Sequence, residues 1–458
     1  MQRISQDTLK KSKIYFMKKT TLRSLAFGLA AMLAIVSRAQ TIERNMEELF
    51  SIADRNNTSI RSCQTAIEKS QQNVEAARSQ RLPDVSTSLS VSYIGTGQTL
   101  NRDFSYYANP NFPHWGNSFA LEAQQVVYAG GALTNGIRLA ELGTTMERHN
   151  DESNRESVHM LLAGLYLQRM SLINRLAVVE KNVMLADTLI DKTRNRYEEG
   201  VVLRNDITRY ELMREQMALQ KVVIADRIKI VDKQMHTALY GEAPETPTGI
   251  EKHSDIDASI LSLPMHDEAY WQDMALTENS NLKKATTSVE LSKVQEKMAR
   301  AASLPKVAIT AADNLNGPNM INVPALDKNV NYWYVGVGVK YNISSIYKNN
   351  KNIRSSKLAT KNAVEKLDVA KEGISDAVHA AYVGLQTVRS ELKTRQKSME
   401  LARQNYDVIS NRYNNGLALV TDMTDAANVR LDAELQYVDA QISVVLAYYK
   451  LKYAAGNI

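Results

Sequence analysis

Cysteine is almost absent: Cys63 is the only one in 458 residues. That excludes an internal disulfide and a cysteine-ligated metal cluster. The seven histidines are scattered, no His-Glu-x-x-His occurs, and no glycine-rich loop suited to phosphate is present. Gly336-Val337-Gly338 lacks the third glycine of a dinucleotide fingerprint. His149, Asp151 and Glu152 cluster on an expected long helix, where a solvated polar face explains them. Nothing here assembles a catalytic centre, and no cofactor is implied. Long apolar runs are missing too: the longest, Leu25–Val36, falls well short of the ~20 residues that span a bilayer as a helix.

Leu25–Val36 instead reads as the core of a secretory leader. Lys18, Lys19 and Arg23 precede it, and Ser37-Arg38-Ala39 offers small residues for cleavage before Gln40. Residues 1–39 are therefore expected to be a signal peptide with an N-terminal extension, Met17 being an alternative start. They carry eight basic side chains and one acidic one, so removing their +7 from the formal +6 leaves −1. No basic surface for nucleic acid survives that subtraction. Cys63 also lies too far past the cleavage site to be a lipidated N-terminal cysteine.

What the chain does have is an internal duplication. Arg196-Tyr197-Glu198-Glu199-Gly200-Val201-Val202-Leu203 is answered 216 positions later by Arg412-Tyr413-Asn414-Asn415-Gly416-Leu417-Ala418-Leu419, and Asp206 and Thr208 by Asp422 and Thr424. Upstream, at an offset of 222, Asn57, Arg78, Leu82, Pro83 and Val85 match Asn279, Arg300, Leu304, Pro305 and Val307. Two copies of one design build a pseudo-symmetric object. The copies are expected at 40–241 and 266–458, joined by a linker at 242–265 that holds Pro244, Pro247, Gly249 and Pro264.

Each copy reads as helix, strand, strand, very long helix, helix. Helices over roughly 44–80 and 267–302 are stopped by Pro83 and Pro305. Strands are expected at about 83–93 and 118–128, then at 305–313 and 331–343. In the first, Val85, Thr87, Leu89, Val91 and Tyr93 alternate with serines. Aromatics crowd these segments: Tyr93, Tyr106, Tyr107, Phe112, Trp115, Phe119 and Tyr128, then Tyr332, Trp333, Tyr334, Tyr341 and Tyr347. The pattern suits a membrane β-barrel with aromatic girdles, or a soluble hairpin with one buried face. Four strands cannot close a barrel, so any barrel is shared between subunits.

Proline is missing from Gly131 to Gly200, enough chain for a helix of about 100 Å. A heptad seam runs through Val158, Leu162, Leu165, Arg169, Leu172, Leu176, Val179, Val183, Ala186, Ile190, Thr193 and Tyr197. Adding 216 gives a second seam, from Ile374 to Tyr413, interrupted only by Arg395. Two antiparallel coiled-coil hairpins follow, turning at Gly200 and Gly416.

Leader, paired strands and Arg-Tyr-x-x-Gly turns in this order make the chain similar to the TolC-like outer-membrane efflux protein family, over the whole length after the leader. The resemblance implies a mainly α fold with a membrane part: a homotrimer in the outer membrane, with a twelve-stranded barrel continued by a helical tunnel across the periplasm. Its implied partners are outer-membrane lipid, a periplasmic adaptor and an inner-membrane transporter, in a tripartite pump or a type I secretion system. Gly200, Val201, Gly416 and Leu417 match the turns that adaptors grip. Asp422 and Asp425 match paired aspartates that ring the periplasmic constriction; Asp206 and Tyr413 match positions that hold the closed entrance. The best-studied member has an arginine where Ala418 stands, which puts that latch in question and leaves nearby Arg204 as a substitute. Asp206 and Asp422 also sit where an acid caps a helix N-terminus. A soluble periplasmic coiled-coil scaffold is the competing reading; its discriminating property is extraction without detergent.

Overall fold

The computed structural model describes residues 46–109, 113–241, 263–264, 266–318 and 327–458. The expected leader, Phe112 and all of the linker except Leu263 and Pro264 lie outside these described residues. Along the first copy run α1 (46–56), α2 (Thr58–Ser79), β1 (Asp84–Tyr93), β2 (Thr99–Leu100), β3 (Tyr106–Ala108), β4 (Trp115–Tyr128), α3 (Ala132–Glu198) and α4 (Arg204–Tyr240). The second continues with α5 (Glu268–Glu278), α6 (Ser280–Ala301), β5 (Lys306–Gly317), β6 (Val330–Lys340), α7 (Ser345–Lys348), α8 (Asn350–Asn414) and α9 (Val420–Ala455). The chain divides into two compact units. One comprises residues 64–150 and 281–370; the other comprises the chain up to 63, 151–280 and 371–458.

The first unit holds the strands. β1, β4, β5 and β6 form one antiparallel sheet in that order, and β2 pairs with β3 as a separate hairpin. Directly opposed residues share a face, so the register sorts the side chains. Val85, Leu89, Val91 and Tyr93 join Trp115, Phe119 and Leu121, then Val307, Ile309 and Leu315, then Trp333, Val335, Val337 and Val339 on one apolar face. The other face carries Ser86, Ser88 and Ser90, then Ser118, Glu122 and Gln124, then Thr310, Asn314 and Asn316. Ser118 Oγ donates to Asn316 Oδ1 at 2.6 Å there. One acid stands on the apolar face: Asp313, whose carboxylate accepts from Asn331 Nδ2 at 2.8 Å.

Strand limits differ from the sequence expectation in three places. β4 begins at Trp115 rather than 118, because Tyr93, Ser92 and Val91 of β1 supply partners for Trp115, Gly116 and Asn117. β5 runs to Gly317 rather than 313: the polar Asn314 and Asn316 have low strand propensity but are paired by β4 on one side and β6 on the other. β6 stops at Lys340 rather than 343, opposite Lys306. The next residue on that partner strand is Pro305, which has no N–H for the ladder.

In the helical unit the heptad positions are the inward ones. Leu162, Val179, Thr193 and Val378 are 0% exposed, while the seam reaches the surface at its end, Tyr197, which is 42% exposed. Each aliphatic side chain removed from water in this way contributes about 1.5–3 kcal/mol. The two arginines that interrupt the seams find polar partners: Arg169 Nε donates to Asp232 at 2.6 Å, and Arg395 to Gln436.

The matched asparagines have a common job. Asn57 and Asn279 sit at the breaks between α1 and α2 and between α5 and α6, and both are buried. Asn57 Nδ2 donates to Ala238 O at 2.7 Å near the end of α4, and Asn279 Nδ2 to Ala454 O at 3.0 Å near the end of α9. Asn57 Oδ1 also accepts from Ser59 and Ile60, capping α2. Removing Asn57 therefore strips a cap and leaves a buried carbonyl unpaired. Asn57→Ala should lower unfolding free energy by about 1–3 kcal/mol, and Asn57→Asp, which keeps only the cap, should recover part of it. Thermal denaturation followed by helical circular dichroism checks the order.

Candidate functional site: the paired helical turns

The long helices α3 (67 residues) and α8 (65 residues) each reverse through one turn of the same construction. Gly200 has φ +73° and Gly416 φ +76°, the left-handed region that glycine enters at little cost. Val201 N–H reaches back to Arg196 O at 2.9 Å, and Leu417 N–H to Arg412 O at 2.8 Å. This is the hydrogen-bond pattern that ends helices on a left-handed residue. The space around both glycines is open, so a larger residue would meet backbone strain rather than a clash.

The returning helices start alike. Asp206 accepts the N–H of Leu203 at 3.1 Å, and Asp422 the N–H of Leu419 at 3.0 Å. Each carboxylate closes half a capping box, with leucine standing where serine or threonine would complete it. Both acids also meet the positive end of their helix. Asp425, one turn further along α9, is exposed, and no hydrogen bond or ion pair holds it among the described residues. Its counterpart in the first copy is Arg209.

Between the two turns lies a cavity of about 400 Å³, lined among others by Arg196, Asp206, Arg209, Tyr413 and Ala418. Tyr413, 5% exposed, is its pivot. The Arg196 guanidinium lies 5.2 Å from the Tyr413 ring centre and donates to Tyr413 O at 3.2 Å. Thr193 Oγ1 is 3.5 Å from the Tyr413 hydroxyl. Tyr210 from α4 is fully buried beside them, and desolvation, followed by the neighbouring Tyr413, drives its phenol pKa far up. Burial thus keeps Tyr210 neutral beside the Tyr413 ring that Arg196 covers.

The turns bring Asp206 and Tyr413 to the same cavity, but the Asp206 carboxylate is engaged by the start of its own helix, while Tyr413 is held by Arg196. Ala418 lines the cavity without a charge. Arg204 is exposed, and its guanidinium makes no hydrogen bond or ion pair among the described residues. The arginine that touches Tyr413 is Arg196, from the opposite hairpin. Its duplicate, Arg412, bonds Leu417 O within its own turn at 3.3 Å. Arg196 belongs to the repeated motif, but nothing local in the sequence distinguishes its reach from that of Arg412. Around the turns Val201, Leu203, Leu417 and Leu419 are all at least 60% exposed, an apolar fringe on two tips.

A four-stranded sheet with one apolar and one polar face, and paired long helical hairpins, define the fold of outer-membrane export channels. Solved structures agree. The outer-membrane channel OprN superposes with a TM-score of 0.76 at 15% identity, covering 91% of this chain and 90% of that one. The outer membrane protein VceC from Vibrio cholerae gives 0.76 at 14% identity, covering 91% and 98%. In sequence, outer membrane efflux protein BepC of Brucella suis biovar 1 (strain 1330) is 22% identical over 413 residues, spanning 89% of this chain and 84% of that protein. The profile of outer membrane efflux proteins matches residues 49–211 and 271–457, and the chain belongs to that family. It is a transport protein and not an enzyme.

Arg196→Ala removes both the ring contact and the carbonyl bond across the hairpins, worth together about 1–3 kcal/mol. Spin labels on Val201 and Leu417 should then show a broader and longer distance distribution by pulsed electron resonance. Arg412→Ala, which loses only a bond within its own turn, should leave that distribution nearly unchanged.

Proposed function

We propose that this chain is the outer-membrane duct of a tripartite export system, working as a homotrimer. The observation that carries the reading is the sheet: four antiparallel strands, one face apolar, the other polar, and the outer edges of β1 and β6 without a partner strand among the described residues. All of β1 and β6 is exposed. Three such sheets joined edge to edge give twelve strands with an apolar exterior and a polar lumen. Tyr93 and Trp115 towards one end, and Tyr128 and Tyr341 towards the other, supply the two girdles. The helical hairpins are the periplasmic part of the protein. Membership of the outer membrane efflux family supports the location and the export role.

The duct is passive. Energy comes from an inner-membrane transporter coupled through a periplasmic adaptor. The Gly200–Val201 and Gly416–Leu417 turns, with their exposed apolar fringe, are the docking points for that adaptor. Asp422 and Asp425 form the acidic entrance, with Asp206 and Tyr413 behind it; Asp422 serves at the same time as a cap.

Purified in mild detergent, the protein should run as a trimer, and a stable monomer there would overturn the architecture. For the entrance, Asp425 is the clean probe because no cap depends on it. Carboxylates crowded around a narrow mouth repel by roughly 1 kcal/mol per pair at 4 Å even in water, which favours cations in their place. Asp425→Asn should shift the reversal potential in planar bilayers towards anions and weaken block by a trivalent cation. Unchanged selectivity would leave Asp425 as a solvated surface residue.

A further inference from the structure

The connection between β1 and β4 carries a feature that the export reading does not use. β2 and β3 form a small hairpin whose tip, Asn101 to Ser105, is tightly tied. Asn101 N–H donates to Ser105 O at 2.9 Å, Phe104 N–H to Asn101 O at 2.9 Å, and Asn101 Nδ2 to Ser105 Oγ at 2.9 Å. Ser105 gives Asp103 both its hydroxyl, at 2.6 Å, and its N–H, at 3.0 Å. These bonds, the hydroxyl first, hold the Asp103 carboxyl below its ordinary pKa. Both hydrogen bonds to the acid are therefore internal to the loop.

This clamp fixes a bulky residue where glycine belongs. Phe104 has φ +66° and is the one non-glycine residue with positive φ among the described residues. The left-handed position of a hairpin loop is normally filled by glycine or asparagine. Glycine here would relieve strain, so the backbone outlier points to a role for the phenyl ring outside the loop. It points to no core: Phe104 is 84% exposed, Tyr107 69%, Tyr106 60% and Leu100 47%.

The hairpin's position says what covers it. Its roots are Tyr93 and Trp115, directly paired on the apolar face of the sheet. The strand pairing continues one step further, through Ile94 N–H to His114 O at 2.8 Å. The His114 ring stacks on Tyr93 at 5.4 Å, and Trp115 meets Tyr93 edge-on at 5.7 Å. Beyond Gly95–Gln98 the chain enters a hairpin on which Leu100, Phe104, Tyr106 and Tyr107 are exposed beside a charged pair of neighbours, Arg102 and Asp103. Aromatic and aliphatic side chains beside a cation fit the boundary between lipid headgroups and acyl chains.

We propose that the β2–β3 hairpin is a lipid anchor: Phe104, flanked by Leu100, Tyr106 and Tyr107, inserts into the headgroup boundary of the membrane surrounding the barrel. The inference rests on the barrel reading above, and the test separates the two. In a Cys63→Ser background, Phe104→Cys and Val335→Cys are each labelled with an environment-sensitive fluorophore. The protein is reconstituted into phosphatidylcholine nanodiscs with or without lipids carrying a quencher near the headgroup. Position 335 reports the apolar sheet face. The expected result is blue-shifted emission at 104 and a quenching loss within about twofold of that at 335. Quenching at 335 with red-shifted, unquenched emission at 104 overturns the anchor and keeps the barrel. Quenching at 335 with blue-shifted but unquenched emission at 104 also overturns it, and assigns the tip to a protein surface such as a second copy. Absence of quenching at 335 removes both.

Discussion

Each outer strand of the sheet presents one row of backbone N–H and C=O groups with no partner among the described residues. In water such an edge invites mispairing. In hydrocarbon each unsatisfied group costs several kcal/mol, so an open sheet cannot stay there alone. The number of strands matters as much as the edges. With four antiparallel strands, β1 and β6 run in opposite directions, so β1 of a second copy can extend the ladder beyond β6 in the same antiparallel sense. An odd number would force a parallel junction at every subunit boundary. Alternation adds a second condition: only registers that place Val85, Leu89 and Val91 level with Val335, Val337 and Val339 keep one face apolar, because a one-residue slip would turn serines outward.

Duplication supplied two sets of parts, and the sets have diverged where the hairpins meet. Asn57 and Asn279 still do the same work, each tying a helix break to the end of a returning helix. Asp206 and Asp422 still cap. The arginines do not match: Arg196 crosses to Tyr413 while Arg412 closes its own turn. Nor do the next positions, where Arg209 faces the role of Asp425. The offset falls from 222 to 216 between the strand and turn motifs, so the first copy is the longer one there. The β1–β4 connection, with its inserted hairpin, is longer than the β5–β6 connection and accounts for the sense of that change.

Much of this was legible in the residues. Alternating valine and serine in β1, prolines after α2 and α6, glycines at the turns and a heptad seam all write local geometry directly, since each depends on a spacing of two, four or seven residues. Less legible were features set by distant partners. β5 extends over Ala-Asp-Asn-Leu-Asn because strands on both sides accept it, not because those residues favour strands. The β2–β3 hairpin is built from strands of two and three residues, too short for periodicity to register. Asp206 was read with its cap as one of two roles, and the capping bond is present. Arg204 is the nearer arginine in sequence, but Arg196 is the one on Tyr413, because proximity in sequence is a poor guide when the target lies on the opposite hairpin.

The strength of that cross-hairpin contact limits how firmly the two turns are held together. A ring contact of about 0.5–2 kcal/mol and one hydrogen bond of about 1 kcal/mol are enough to hold the tips together most of the time. They are too weak to hold them against a partner that binds only the parted form a few kcal/mol better, since each 1.4 kcal/mol shifts the populations tenfold. A full ion pair at position 418 would raise that threshold. With Ala418 in the cavity and Arg196 resting on the Tyr413 ring, the two turns are held to each other by the weaker pair of interactions. The buried seam further along α3 and α8, with Leu162, Val179 and Val378 out of water, holds the helices together independently of the contacts at the turns.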